Sequence, residues 1–188
     1  NRIMVPINNV QDKTIGFGAR VINESLPKYI NTAETKLFKK KQILYNESQL
    51  DKHSNNKIIL VEGYFDVIKL YQFGFLNCVA PLGTSINHER IIELTKKGYE
   101  IIVCLDGDLA GRNASLRLMN NLLSSKDFEL GVKFVLLPKN YDPDLMLESQ
   151  MKDQLIKLIK QPLNIEQFID KYLDKYFSSN DIDEQFKG

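Results

Sequence analysis

The chain has 188 residues, 25 Lys/Arg against 24 Asp/Glu, a formal net charge of +1, 43% hydrophobic and 26% charged residues. That balance belongs to a globular protein with a core of its own and excludes a disordered polyelectrolyte; with two cysteines it also excludes a disulfide-stapled scaffold. No apolar run approaches membrane-spanning length and no signal-peptide pattern is visible, so no membrane association is expected.

In chain order, residues 2–7 read as a strand, with Pro6 placing it at a sheet edge. Val10 to Lys13 is a turn, and residues 14–22 form the partner strand. Gly16 and Gly18 alternate there with Phe17, the pattern of a strand closely approached by another backbone or a ligand, and Arg20 shares their face. Pro27-Lys28-Tyr29-Ile30-Asn31 is short and extended. Lys39-Lys40-Lys41 reads equally as a solvated loop or as part of a basic surface. Residues 1–50 carry eight Lys/Arg against four Asp/Glu, which suits a polyanion; residues 142–188 carry six against ten, which does not. The polar run Asp51 to Asn56 marks a subdomain boundary, with His53 an exposed loop residue.

From Lys57 the pattern alternates strand and helix. The strands are Ile58–Val61, Cys78–Ala80, the run from Ile101, and Val132–Leu137. The helices are Phe65–Phe73, Asn87–Lys97 and the segment after Asp108. Four strands joined by crossovers of a dozen or more residues predict a mostly parallel sheet with helices on both faces. Cys78 and Cys104 sit inside apolar strands and read as small buried hydrophobes, in keeping with a reducing compartment. A short helix begins near Pro143, two helical pieces broken near Pro162 follow, and the polar end from Ser178 frays. The expected organisation is therefore a basic, strand-rich segment at 1–56, an α/β domain at 57–150 and a helical segment at 151–188.

The chemistry gathers at strand ends. Glu62 follows the first strand of the α/β region, Asp106 and Asp108 the third, Asp142 and Asp144 the fourth. In a parallel sheet these ends share one edge, where open α/β sheets bind ligands. Asp108 alone could be a helix N-cap and Asp106-Gly107 alone a turn, but neither accounts for five acids together. Buried carboxylates that repel one another need a cation. With oxygen ligands only and no His/Cys cluster, that cation is Mg²⁺ or Mn²⁺ and not zinc. A metal pair clamping an in-line displacement at phosphorus leaves the role of general base to Glu62.

Val61-Glu62-Gly63-Tyr64-Phe65-Asp66 followed by Leu105-Asp106-Gly107-Asp108-Leu109-Ala110-Gly111-Arg112 resembles the Toprim domain of bacterial-type primases and of type IA and type II topoisomerases. Pro6, Ile15-Gly16-Phe17-Gly18-Ala19-Arg20, Pro27 to Asn31, Leu44-Tyr45, Leu82-Gly83-Thr84-Ser85 and Asp142-Pro143-Asp144 are similar to the catalytic core of the DnaG-type replicative primases. The similarity covers about residues 2 to 150.

It implies synthesis of RNA primers on a single-stranded DNA template from nucleoside triphosphates, in the bacterial cytoplasm, with a replicative helicase engaged through regions outside this chain. Glu62 then serves as base or metal ligand, and Asp106, Asp108, Asp142 and Asp144 hold Mg²⁺ or Mn²⁺. Arg20, Lys28 and Lys40 face template or nucleotide. Asp66 and Arg112 match family positions near the nucleotide, their plainer reading being a salt bridge or a helix-start contact; Asn31 matches without an assignable role. Ala19 and Ala33 stand where the family usually has Gly and Pro.

The family's zinc module and the first half of its core precede the matched region. A fragment is therefore expected, one weak or inactive in primer synthesis alone. Three other readings compete. A topoisomerase would need a tyrosine nucleophile on a separate domain. A haloacid-dehalogenase-type phosphatase would want Thr or Val where Ala110 stands. A module could also bind metal or DNA without turnover.

Overall fold

The structure, a computed structural model, describes residues 1–23, 26–52, 56–83, 86–125 and 131–178. The Thr84-Ser85 part of the Leu82 motif, the His53 loop and the chain end beyond Ser178 lie outside the described residues.

Buried and exposed residues alternate along the edge strand of the first sheet. β1 (Arg2–Asn8) pairs antiparallel with β2 (Thr14–Val21), and β2 with β3 (Tyr29–Asn31), in the order β1-β2-β3. Pro6 sits on the edge strand, where a missing donor costs least. Val5 and Ile7 are buried while Met4 and Pro6 on the other face are exposed. Ile7 packs with Phe38 and Leu82 in a small core between the two sheets. Gly18 shows why the strand needs glycine: a Cβ there would lie 2.9 Å from the Tyr64 ring.

The β1–β2 turn is also pinned to the end of the opening segment. Asp12, at φ 63°, accepts from Asn8 Nδ2 at 3.0 Å, Ser48 Oγ at 2.9 Å and Lys52 Nζ at 3.0 Å. Ser48 and Lys52 belong to a 3-10 segment, Glu47–Lys52, just after β4 (Leu44–Tyr45). Those bonds, Lys52 first, lower the Asp12 carboxyl to about 2. A carboxyl depressed on folding stabilises the fold above its unfolded value, and that contribution is lost as pH falls toward the folded value. Asp12→Asn is therefore expected to flatten the loss of thermal stability between about pH 4 and pH 2. Melting curves across that window test it, and an unchanged slope would show the turn to be held by other contacts.

The second sheet has the order β4-β6-β5-β7-β8, with β5 (Lys57–Leu60), β6 (Cys78–Pro81), β7 (Glu100–Val103) and β8 (Val132–Phe134). β5, β6, β7 and β8 run parallel, as the crossover lengths predict, and β4 adds an antiparallel edge strand from the opening segment. Residues of one parity (Ile59, Val61, Ile102, Cys104, Val135) face α1 (Tyr64–Gln72), α4 (Pro143–Glu148) and α5 (Lys152–Lys160). The other parity (Ile58, Leu60, Ile101, Val103, Phe134) faces α2 (His88–Lys96), α3 (Leu109–Leu123) and α6 (Ile165–Ser178). Both faces are covered, so the strands read as unbroken apolar runs and not as alternation.

β8 stops at Phe134, short of the expected Leu137, although Val135 and Leu137 remain buried. The strand is an edge, and the α5–α6 linker closes it: Phe134 and Leu163 exchange N–H···O=C bonds, each 2.8 Å. The Phe168 ring stacks on Phe134 at 4.5 Å. The segment 152–178 thus caps an edge that would otherwise be open to pairing with another strand.

Candidate active site

Three neighbouring strands, β5, β7 and β8, deliver the acids. β5 leads through buried Val61 to half-buried Glu62, whose Oε1 accepts from the Asp106 backbone N–H at 3.1 Å. That bond ties the carboxyl ends of β5 and β7 together. Gly111 leaves the space for it: a Cβ there would lie 2.5 Å from Glu62 Oε1 and 2.3 Å from the Asp106 carbonyl oxygen.

Beyond Val103 the chain is buried through Cys104 and Leu105 before it turns at Asp106. Asp106 Oδ1 is buried and accepts no hydrogen bond from the described residues. Burial, then the negative charge of Glu62, Asp66, Asp142 and Asp108, pushes its carboxyl up to about 8. Asp66, on the first turn of α1, accepts from the Gly63 N–H at 2.9 Å, yet burial and the acids around it raise it to about 6. Glu62 is raised as well, chiefly by burial.

Two of the other acids are satisfied locally by helix N–H groups. Asp108 caps α3, accepting from the Gly111 N–H at 2.8 Å, and Asp142 caps α4, accepting from the Leu145 N–H at 2.6 Å, with Pro143 at the first helical position. The N-cap reading of Asp108 therefore holds, and it does not extend to Asp106. Asp144 Oδ1 lies 3.4 Å from Lys69 Nζ of α1, which also contacts Glu148. The plainer reading of Asp66, a helix-start contact, is likewise seen in its Gly63 bond.

The basic candidates divide. Arg20 leaves β2 toward α1, its guanidinium 4.7 Å from the Phe65 ring and 5.6 Å from that of Tyr29, beside Asp66 in sequence. Arg112 has Nε and Nη2 buried without an acceptor among the described residues. Lys28 lies along Tyr29 at 5.7 Å, and neither Lys28 nor Lys40 forms an ion pair with the acids among the described residues. Asn31, for which the sequence offered no role, donates to the Leu82 carbonyl at 2.8 Å and so ties β3 to the loop after β6. The sequence reading missed Lys69, and it missed the Tyr29–Tyr64 edge contact at 5.5 Å that joins the two sheets' ends.

Among the described residues no three His, Cys, Asp or Glu side chains close on one point as a ready-made cage. The donor set is all oxygen, with two buried oxygens, Asp106 Oδ1 and Asp144 Oδ1, that accept no hydrogen bond from the described residues. Such a set fits Mg²⁺, which commonly takes one or two carboxylates and completes its shell with water and phosphate. It does not fit a structural zinc site, which needs His or Cys. No helix among the described residues is long and apolar enough to cross a membrane.

A parallel sheet with Glu62 after one strand and an Asp-Gly-Asp after its neighbour defines the Toprim class, and residues 56–133 match the Toprim domain, which implies use of a divalent metal. Residues 1–51 match the family described as DNA primase catalytic core, N-terminal domain. The DNA primase of Rickettsia felis is 44% identical over 171 residues, 90% of this chain and 29% of that protein. A DNA primase domain from Pseudomonas aeruginosa superposes with a TM-score of 0.80 at 35% identity, over 92% of this chain and 55% of that one. A DnaG primase catalytic domain bound to single-stranded DNA superposes at 0.78 and 32% identity, over 92% and 55%. The chain belongs to the DnaG-type primase family, and it spans under a third of the length of the curated relatives it matches.

Proposed function

We propose that this chain is the part of a primase's RNA polymerase core that holds the metal-binding edge, and that the whole protein makes RNA primers on single-stranded DNA from nucleoside triphosphates. The observation that carries the reading is the Asp106 carboxylate, half-buried, with one oxygen unpartnered, set among Glu62, Asp66, Asp108 and Asp142. An arrangement so costly without a cation is what a site for Mg²⁺ or Mn²⁺ with a polyphosphate needs.

Glu62, Asp106, Asp108, Asp142 and Asp144 would hold the metal. Bound there, it would neutralise phosphate charge and lower the pKa of an attacking hydroxyl. Glu62 is also the candidate base for the primer 3′-hydroxyl, its affinity for a proton raised by burial. The 3′-oxygen attacks the α-phosphorus, the bond to the β-phosphate bridging oxygen breaks, and pyrophosphate leaves. Arg112 offers its two unpaired nitrogens to a phosphate, and Asp66 holds the start of α1 beside the site. Arg20, with Lys28 and Lys40, gives the 1–56 segment its basic face for template or nucleotide backbone.

In this reading 57–150 is the metal-binding domain, the described part of 151–188 closes the sheet edge, and a helicase engages regions outside this chain, in the cytoplasm of a bacterium. The solved relative with single-stranded DNA supports the choice of template.

The test uses the full-length parent. Glu62→Gln is expected to cut primer synthesis by at least about a hundredfold with the melting temperature and circular dichroism kept. Synthesis at the wild-type rate would sink the assignment.

A further inference from the structure

Lys69 sits on α1 one turn beyond Asp66, with its side chain only 20% exposed. Its ammonium lies between two carboxylates of α4, 3.4 Å from Asp144 Oδ1 and in contact with Glu148. Asp144 and Glu148 stand at i and i+4, on one face of that helix. α1 and α4 pack on the same side of the sheet, so the contact is set by the fold and not by a long side chain reaching over solvent.

The acids of the edge are relieved in three different ways. Asp66 and Asp106 are half-buried and hold protons more tightly than usual. Asp108 and Asp142 accept helix N–H groups. Asp144 alone among these acids is paired with a cation of the protein itself, among the described residues.

We propose that Lys69 is a built-in counter-ion for the Asp144 end of the acid edge. A divalent cation must displace the ammonium before it can take Asp144 as a ligand, and Glu148 is the dock that keeps the displaced ammonium. Lys69 is thus a positioning residue that sets how readily the Asp144 end loads. This deepens the metal reading above and rests on it.

The experiment is Mn²⁺ titration of the full-length protein, with free Mn²⁺ read by electron paramagnetic resonance, and it needs no turnover. Lys69→Gln removes the charge and keeps the reach, and is expected to tighten Mn²⁺ binding about tenfold, because one unit charge beside a divalent ion matters that much even at a water-like dielectric. Lys69→Arg keeps the charge and is expected to bind as wild type does. Glu148→Gln leaves the ammonium to Asp144 alone and is expected to weaken binding severalfold. Wild-type binding that Lys69→Gln leaves unaltered overturns the counter-ion role and spares the metal reading. Binding absent from wild type and Lys69→Gln alike overturns both.

Discussion

Gly107→Ala is expected to lower the melting temperature by about 10 °C, on the order of 3 kcal/mol, and to weaken Mn²⁺ binding at least tenfold. A Cβ at Gly107 would stand 1.9 Å from the Pro138 carbonyl oxygen, 2.9 Å from the Pro138 carbonyl carbon and 3.1 Å from the Leu137 carbonyl oxygen. All three are backbone atoms, so no rotamer change relieves the overlap. Gly107 N–H also donates to the Tyr141 carbonyl at 2.7 Å. This contact joins the turn carrying Asp106 and Asp108 to the segment that brings in Asp142 and Asp144. Separating the segments by even an ångström pulls apart the two halves of the acid edge. Binding falls with stability in this variant, whereas Gly74→Ala, at φ 89° with nothing within 4 Å of its Cβ, is strained but remote and should lose stability only. Intact Mn²⁺ binding in a destabilised Gly107→Ala protein would mean that the two acid pairs act independently.

The fold was legible because its signals are local and strong. Ile101 to Leu105 is a continuous apolar run ending in acids, and such a run needs cover on both faces, which the structure supplies. The strand ends placed Glu62, Asp106 and Asp142 on one edge without any knowledge of strand order. The order itself adds that β5, β7 and β8 are immediate neighbours.

What the sequence hid lies in long-range pairs. β4 has two residues, too few for a periodicity, and its partner β6 begins well downstream at Cys78. Asn31 meets Leu82 across 51 positions and looks like any polar strand residue. Lys69 reads as a solvated helix lysine until α4 is folded beside it and supplies Asp144 and Glu148. The extent of the fourth strand was misread for a related reason: Val135 and Leu137 are buried as strand residues would be, but the ladder ends at Phe134. The two helical pieces expected after Met151 carried no sign of what they cover, and the Phe134–Leu163 pairing supplies the answer.

Asp106→Asn is expected to reverse the order of stability between chelator and metal. In chelator the wild-type carboxyl is pushed up to about 8, by burial first and by Glu62 next. An acid raised on folding keeps its proton in the native state while the unfolded chain has released it. Its contribution is therefore fully present below about pH 4 and is lost as pH rises toward the folded value. Asp66, raised to about 6, works in the same direction over the lower part of that window. Asparagine carries no charge to bury, so the variant should match wild type near pH 4 and exceed it at pH 8. The gain is on the order of 2 kcal/mol once the site's partial exposure to solvent is discounted, or about 5 °C. With Mn²⁺ at a hundred times its dissociation constant the wild type gains about 2.7 kcal/mol by linkage and overtakes the variant, which binds weakly. Near pH 7 wild-type binding also releases close to one proton, read from calorimetric heats in buffers of different ionisation enthalpy, and the variant releases less. If Asp106→Asn instead melts below wild type in chelator at pH 8, the carboxylate is a structural partner of its surroundings and not a ligand held in reserve.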